Sequence, residues 1–377
     1  MEISDSQGAN EHAEVEVLFA RRLIEWQRRC GRHGLPWQGG RDPYRIWLSE
    51  IMLQQTQVTT VLGYYGRFLQ AFPDVQALAR AHEDEVMALW SGLGYYSRAR
   101  NLHRCAQDIV AHHGGCFPRS AAELQQLPGI GPSTAAAIAA FAFGERVSIL
   151  DANVQRVLCR VLGMADDLSQ VAALRRLAGR AAALLPAAPV CPADMQAYTQ
   201  GLMDLGAMIC TPRNPVCTQC PMESCCVAHA LHCETAYPVR SRRLRRTAET
   251  WWLLVAKSAA GIWLEKRPST GIWAGLYCLP VFAAEQDARE YARAQWGVAA
   301  EGALEAFPSF RHVLTHKDLY LQPLCLQVDA SAASGPSDAE RQAGWRSDWQ
   351  SLGLPAPVRK WLQEREHPVL WTESRKD

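Results

Sequence analysis

The sequence predicts a mainly α-helical N-terminal half followed by a smaller α+β domain. Three observations carry that prediction. From Glu14 to about Ala230 apolar residues recur at spacings of three and four, the signature of amphipathic helices. At Tyr237–Thr247 this rhythm gives way to Arg240, Arg242, Arg243, Arg245 and Arg246. From Trp251 onward short apolar or alternating runs take over, the period of strands. A chain of 377 residues is also too long for one typical core, so two domains are expected.

Each element follows in order. Residues 1–13 are polar and read as a disordered tail. Helical periodicity then marks 15–29, 43–58, 74–90, 97–113, 120–127, 133–143, 152–162 and 194–208. Glycine and proline punctuate these at Gly31–Pro36, Phe72-Pro73 and Gly92–Gly94. Residues 237–250 form a basic linker, either solvated or tracking a nucleic-acid backbone. Strands are expected at Trp251–Ala256, Gly261–Arg267, Gly271–Pro280 and Leu319–Val328, with a helix at Arg289–Gln295.

Composition narrows the class. No apolar run is long enough to cross a membrane. The start, Met1-Glu2-Ile3-Ser4-Asp5, lacks the basic region and apolar core of a secretory signal. A cytosolic protein is the expectation, and thirteen cysteines then point to metal or cofactor ligation rather than disulfides. The net charge of +1 does not announce a nucleic-acid binder. Its distribution says more: all five lysines lie at or beyond Lys257, while residues 1–246 carry 25 arginines against 22 acids, a formal +3.

Leu127 to Val154 is the most informative stretch. Leu127-Pro128-Gly129-Ile130-Gly131-Pro132-Ser133-Thr134 opens a helix through a tight glycine turn. Pro132 suits a first helical turn, and Gly129 and Gly131 permit positive φ and close backbone approach. Bare amides at such a terminus suit a phosphate. Asp151 follows about 20 residues later, either as the N-cap of helix 152–162 or as a carboxylate aimed at a ligand. Glu50 lies in a helix among Ile46, Trp47, Ile51 and Leu53. A carboxyl on that mostly buried stripe loses solvation and keeps its proton, which suits a general acid. A paired structural glutamate would share the same pattern.

Cys210, Cys217, Cys220 and Cys226 are spaced C-x6-C-x2-C-x5-C. Four close thiolates can wrap an iron–sulfur cluster. Zinc is the alternative, although it prefers two close pairs across a longer knuckle. Cys225 competes with Cys226 as fourth ligand. Arg213, in the loop Thr211–Val216, can present positive charge to a phosphate.

Together the hairpin, the aspartate and the cysteine loop resemble the helix–hairpin–helix DNA glycosylases of the endonuclease III superfamily. The adenine DNA glycosylase (MutY) family matches best. Its helix motif stands here as Trp47-Leu48-Ser49-Glu50-Ile51-Met52-Leu53-Gln54-Gln55-Thr56-Gln57-Val58, and its turn motif as Gly92-Leu93-Gly94-Tyr95-Tyr96. Leu35-Pro36-Trp37 and Gly206-Ala207-Met208-Ile209-Cys210 match too. The resemblance is strong over about 14–235 and weaker beyond.

The resemblance implies a six-helix barrel domain at 45–148 bearing the helix–hairpin–helix. It implies an iron–sulfur helical domain from 14–44 plus 149–236, and a Nudix-like (MutT-like) domain at 251–377 that recognises 8-oxoguanine. The implied activity is removal of adenine mispaired with 8-oxoguanine or guanine in duplex DNA, by a bacterial, nucleoid-associated monomer with one [4Fe-4S] cluster on the four cysteines. Glu50 would protonate the flipped adenine, Asp151 would stabilise the positive sugar, and Asn153 would support the site. Trp37, Gln54, Gln55, Tyr95 and Gln200 would contact bases, with Thr315 and His316 reading the lesion. Gly129, Gly131, Ser133, Thr134 and Arg213 would hold the DNA backbone. This chain departs at Leu314-Thr315-His316, where the family's lesion-reading loop has Phe-Ser-His. Around Arg289–Gly297 the acids that Nudix hydrolysis needs are missing, so recognition, not hydrolysis, is expected.

Bifunctional relatives carry a lysine in the hairpin helix that forms a Schiff base and cuts the strand. Ser133 stands there in this chain, which implies base release without efficient lyase activity. Two alternatives remain at this stage: a thymine-mismatch or oxidised-pyrimidine glycosylase, and a catalytically inert, cluster-bearing DNA damage sensor.

Overall fold

The computed structural model describes residues 5–242, 245–297, 302–329 and 342–365, with side chains from residue 18 onward. In chain order its α-helices are α1 (Asp5–Cys30), α2 (Pro43–Leu53), α3 (Val58–Ala71), α4 (Val75–Arg80), α5 (Glu83–Trp90), α6 (Ser97–His113), α7 (Ala121–Leu124), α8 (Pro132–Ile138), α9 (Ala152–Leu162), α10 (Val171–Ala183), α11 (Pro192–Asp204), α12 (Val227–Ala230), α13 (Glu285–Trp296) and α14 (Ala356–Gln363). The strands are β1 (Thr247–Ser258), β2 (Gly261–Lys266), β3 (Tyr277–Cys278), β4 (Val281–Phe282), β5 (Glu305–Ala306), β6 (Phe310–Val313), β7 (Lys317–Gln327) and β8 (Gly344–Arg346). The chain forms two compact units: Met1–Ala79 with Arg104–Arg243, and Arg80–His103 with Leu244–Asp377.

The first unit is helical. Its core draws Phe19 and Leu23 from α1, Val154, Val157 and Val161 from α9, and Tyr198 and Leu202 from α11. Phe19 meets Tyr198 edge to face at 6.3 Å. Fully burying each such side chain stabilises by about 1.5–3 kcal/mol. The helices start where local chemistry starts them. Asp42 caps α2 by accepting from the Tyr44 amide at 2.9 Å, with Pro43 in the first turn. Ser120 and Glu123 form a reciprocal capping box on α7. Two expected helices end in a widened π-turn: 133–143 divides into α8 and Ala139–Phe143, and 194–208 into α11 and Leu205–Ile209. The second of these turns leads directly into Cys210.

The second unit is built on a mixed sheet in the order β3-β2-β1-β7-β5. β1 and β7 run parallel, Thr247 opposite Lys317 through Lys257 opposite Gln327. All other pairings are antiparallel. Leu254, Trp263 and Leu324 pack against Ala288 and Ala292 of α13.

Several boundaries differ from expectation. α1 reaches back to Asp5, through most of the predicted disordered tail; helix propagation is cheap once the turns after it are packed. β1 begins at Thr247, inside the predicted linker. Linker residues before it are fastened to the first unit: the Leu168 amide bonds Val239, and Ser241 bonds Asp167. Of the strand expected at Gly271–Pro280 only Tyr277–Cys278 forms, because Gly271, Trp273 and Gly275 all take positive φ. Residues 80–103 belong with the C-terminal unit rather than with the rest of 45–148. Lys266 pairs with Asp84 at 2.6 Å, and Ser91 and Tyr96 both donate to the Leu354 carbonyl. These groups, with buried Val86, Met87 and Trp90, give α5 a face for that unit.

Candidate active site

A cleft of about 1230 Å³ opens in the first unit. Glu50, Asp151, Asn153, Trp37, Gln54, Gln55 and Gln200 all line it, as do Ser133 and Thr134. Residues as far apart in sequence as Glu50 and Gln200 thus line one cleft.

Glu50 sits three residues before the end of α2, one turn after buried Ile46 and Trp47. Removal from water pushes its carboxyl up to about 8, and the nearby Asp151 charge adds to the effect. Among the described residues no hydrogen bond stabilises the ionised form. Near neutral pH the group therefore keeps a proton to give.

Asp151 stands at the N-cap of α9 and accepts the Val154 amide at 2.7 Å. The N-cap role is what the structure shows, and the capped residue also lines the cleft. The helix terminus favours negative charge there. The preceding residue is also held: Ser133 Oγ accepts from the Leu150 amide at 3.2 Å. Thr134 Oγ1 accepts from Gln54 Nε2 at 3.1 Å. The two hydroxyls of the hairpin helix are thus turned inward, onto the chain itself. Gly129 takes φ +77°, and α8 follows an N-cap, Gly131, that gives no side-chain cap. Among the described residues the hairpin's first-turn amides have no side-chain cap. Gln55 has φ +55°, a left-handed conformation uncommon outside glycine. Such strain clusters at functional sites.

α9 continues from the active site to the cysteines. Arg156 donates to Asn153 Oδ1 at 3.0 Å, the Gly206 carbonyl at 2.7 Å and the Cys210 carbonyl at 2.8 Å. Arg160 is buried and donates to Cys210 Sγ at 3.3 Å and to the carbonyls of Thr211, Pro212 and Glu234. Sequence reasoning missed both arginines. Their signal was a charged residue at i and i+4 on the apolar stripe of Val157 and Val161.

Cys210, Cys217, Cys220 and Cys226 line one small enclosed cavity with Arg160. Burial pushes the Cys220 thiol up to about 12, and Cys210, Cys226 and Cys217 add to the rise. Cys225 does not line the cavity; its Sγ bonds the Met222 carbonyl and receives Arg22 at 3.9 Å. A single zinc on four thiolates needs the sulfurs about 3.8 Å apart, from a Zn–S bond of about 2.3 Å. Among the described residues the one set of three or more such ligand atoms within 4.8 Å is Cys217, His229 and Glu234. No three of the four cysteine sulfurs come that close among the described residues, so they stand wider than one tetrahedral ion needs. Arg213 is exposed nearby.

Tyr95, Thr315 and His316 lie in the second unit. The Tyr95 hydroxyl is 3.1 Å from Thr315 Oγ1. Tyr95 is exposed and left-handed, φ +49°, with the Arg98 guanidinium 5.4 Å from its ring centre. The hydroxyl that the sequence retained at 315 is thus beside the ring expected to meet the lesion. His316 is exposed, and its carbonyl accepts the Thr247 amide.

A helical hairpin beside a two-carboxylate cleft defines a class, the base excision glycosylases, and comparison with known proteins agrees. Residues 48–180 match the model of the HhH-GPD superfamily base excision DNA repair proteins, and residues 250–364 match a NUDIX domain. The chain is 34% identical to the adenine DNA glycosylase of Buchnera aphidicola subsp. Baizongia pistaciae, over 91% of this chain and 95% of that protein. It is 45% identical to the human adenine DNA glycosylase, over 57% of this chain and 40% of the human protein. A thermostable thymine-DNA glycosylase structure superposes with a TM-score of 0.52 at 28% identity, covering 59% of this chain and 99% of that one. The chain belongs to the adenine DNA glycosylase family, hydrolases that act on N-glycosyl bonds in base excision repair.

Proposed function

We propose that this enzyme is a monofunctional glycosylase that removes adenine opposite 8-oxoguanine or guanine in duplex DNA. The observation that carries this reading is that Glu50, whose carboxyl burial pushes up to about 8, lines the same cleft as helix-capping Asp151. A flipped adenine enters the cleft, and Glu50 protonates its ring so that it leaves neutral. Departure leaves positive charge on the sugar, as in other glycoside cleavage. Asp151, already fixed by the Val154 amide, stabilises that charge without reorganisation. Asn153 is held by Arg156 at the cleft wall. Flipping costs a few kcal/mol, less for a mispaired base. Gln54 and Gln55 offer amides to base edges, while Tyr95 and Thr315 meet the orphaned 8-oxoguanine. The hairpin from Gly129 to Thr134 and Arg213 bear on phosphates.

Cys210, Cys217, Cys220 and Cys226 would hold a [4Fe-4S] cluster. Bound there, it supplies a rigid cross-link for the loop, and Arg160 compensates its thiolate charge. With Ser133 bonded to Leu150 and no lysine before Lys257, base release proceeds without a Schiff base.

The test is a set of end-labelled duplexes carrying A:8-oxoguanine, A:G, T:G or thymine glycol, incubated and then treated with alkali. Cleavage of the adenine strand only after alkali is expected. Release of thymine or thymine glycol instead would support the pyrimidine glycosylase, and no release the inert sensor. A strong borohydride-trapped DNA adduct would contradict the monofunctional assignment.

A further inference from the structure

Asp204, at the end of α11, plays no part in the chemistry above, yet it is fully buried with three hydrogen bonds converging on it. Its Oδ2 accepts the Arg32 amide at 2.9 Å, and its Oδ1 accepts Arg32 Nε at 2.7 Å and Gln200 Nε2 at 2.8 Å. Both Arg32 and Gln200 line the cleft. A carboxylate paired with a guanidinium only accepts, so Gln200 must turn its NH₂ toward Asp204. Amide oxygen and nitrogen are alike in shape, and here the network decides which is which. The Gln200 carbonyl oxygen accepts no hydrogen bond among the described residues, and its side chain lines the cleft.

The other side of Asp204 holds the loop that carries Trp37. Gln38 closes this loop, donating to the Arg32 carbonyl at 2.9 Å and accepting the Leu35 amide at 3.1 Å. A side chain at Gly31 would come within 2.9 Å of Asp204 Oδ2 and 2.6 Å of the Gln27 carbonyl. Glycine before Arg32 is thus what lets the carboxylate reach the backbone.

We propose that Asp204 is a positioning residue for base selection, an inference that rests on the adenine glycosylase reading. It presents the Gln200 carbonyl as a fixed acceptor to the flipped base. Adenine answers with its exocyclic amine, whereas a base with a carbonyl at that edge sets acceptor against acceptor. Burying two unpaired acceptors is costly, so such a base is rejected.

The test measures single-turnover base release opposite 8-oxoguanine from adenine, from purine, which lacks the amine, and from hypoxanthine, which has a carbonyl. Asp204→Asn should slow adenine release about tenfold, one hydrogen bond's worth, and leave purine within about twofold. The preference for adenine over hypoxanthine should shrink by the same factor. Gln200→Leu should reproduce the adenine-specific loss, and the double variant should add little to it. Equal loss on adenine and purine would mark Asp204 as merely structural and overturn the proposal, as would unimpaired adenine release by Gln200→Leu. Should Asp204→Asn not fold, the Gln200→Leu comparison still decides. A parent enzyme that released no adenine would break the functional reading, a different outcome from either.

Discussion

The end of α2 and the start of α9 each bring one carboxyl to the same cleft, in opposite surroundings. Glu50 projects from an apolar stripe, loses its hydration and gains no hydrogen bond among the described residues. Asp151 sits on a helix N-terminus and accepts an amide at 2.7 Å. The first environment favours a held proton; the second fixes the carboxylate by a backbone amide. Acid and anion are thus assigned by backbone and solvent, since the two functional groups are chemically alike.

The strongest way to break that contrast is to remove the proton donor. Glu50→Gln should lower base release by about 10³-fold or more while sparing duplex affinity, measured by single-turnover excision and by titration of labelled duplex. Asp151→Asn should cost about 10²–10³-fold. Asparagine still caps a helix, so the melting temperature should stay within a degree or two. Asp151→Ala should lose the same activity and also about 1 kcal/mol of stability, read in denaturant unfolding. Equal stability for the two variants would argue that the cap is incidental.

A smaller set of effects sharpens the account away from the carboxyls. Cys226→Ser should abolish or bleach the visible absorption of an iron–sulfur centre in the purified protein, whereas Cys225→Ser should leave it intact. Tyr95→Phe should reduce the preference for 8-oxoguanine over guanine by about 2–10-fold, the range of one hydrogen bond. Smallest is a stability effect. Glu50 titrates higher folded than unfolded, so it stabilises fully below its unfolded value and that contribution is lost as pH rises through about 8. Glu50→Gln should therefore melt about 2–4 °C above the parent at alkaline pH, and the gap should close in mild acid.

Much of the site was legible because its residues lie in short local motifs. Glu50, Gln54 and Gln55 share one helix and its end, and Asp151 with Asn153 opens another. Caps and glycine turns write themselves into neighbouring residues, so α2, α8 and α9 were readable. What the sequence concealed depends on long-range partners. Asp204 meets Arg32 across 172 residues, and Arg156 and Arg160 meet the cysteine loop across 50 or more. A buried charge looks like any surface charge until its partner is placed. The inward bonds of Ser133 and Thr134 were equally hidden. Residues 80–103 went to the unexpected unit because their partners, Lys266 and Leu354, lie far along the chain.

The pH dependence of adenine release from an A:8-oxoguanine duplex, under single-turnover conditions, tests the central claim most directly. With Glu50 as the acid, the rate should hold through neutrality and fall as pH rises past about 8, approaching tenfold per unit. The residual activity of Glu50→Gln should lack that descent. A parent rate that stays level or climbs into the alkaline range would contradict the account.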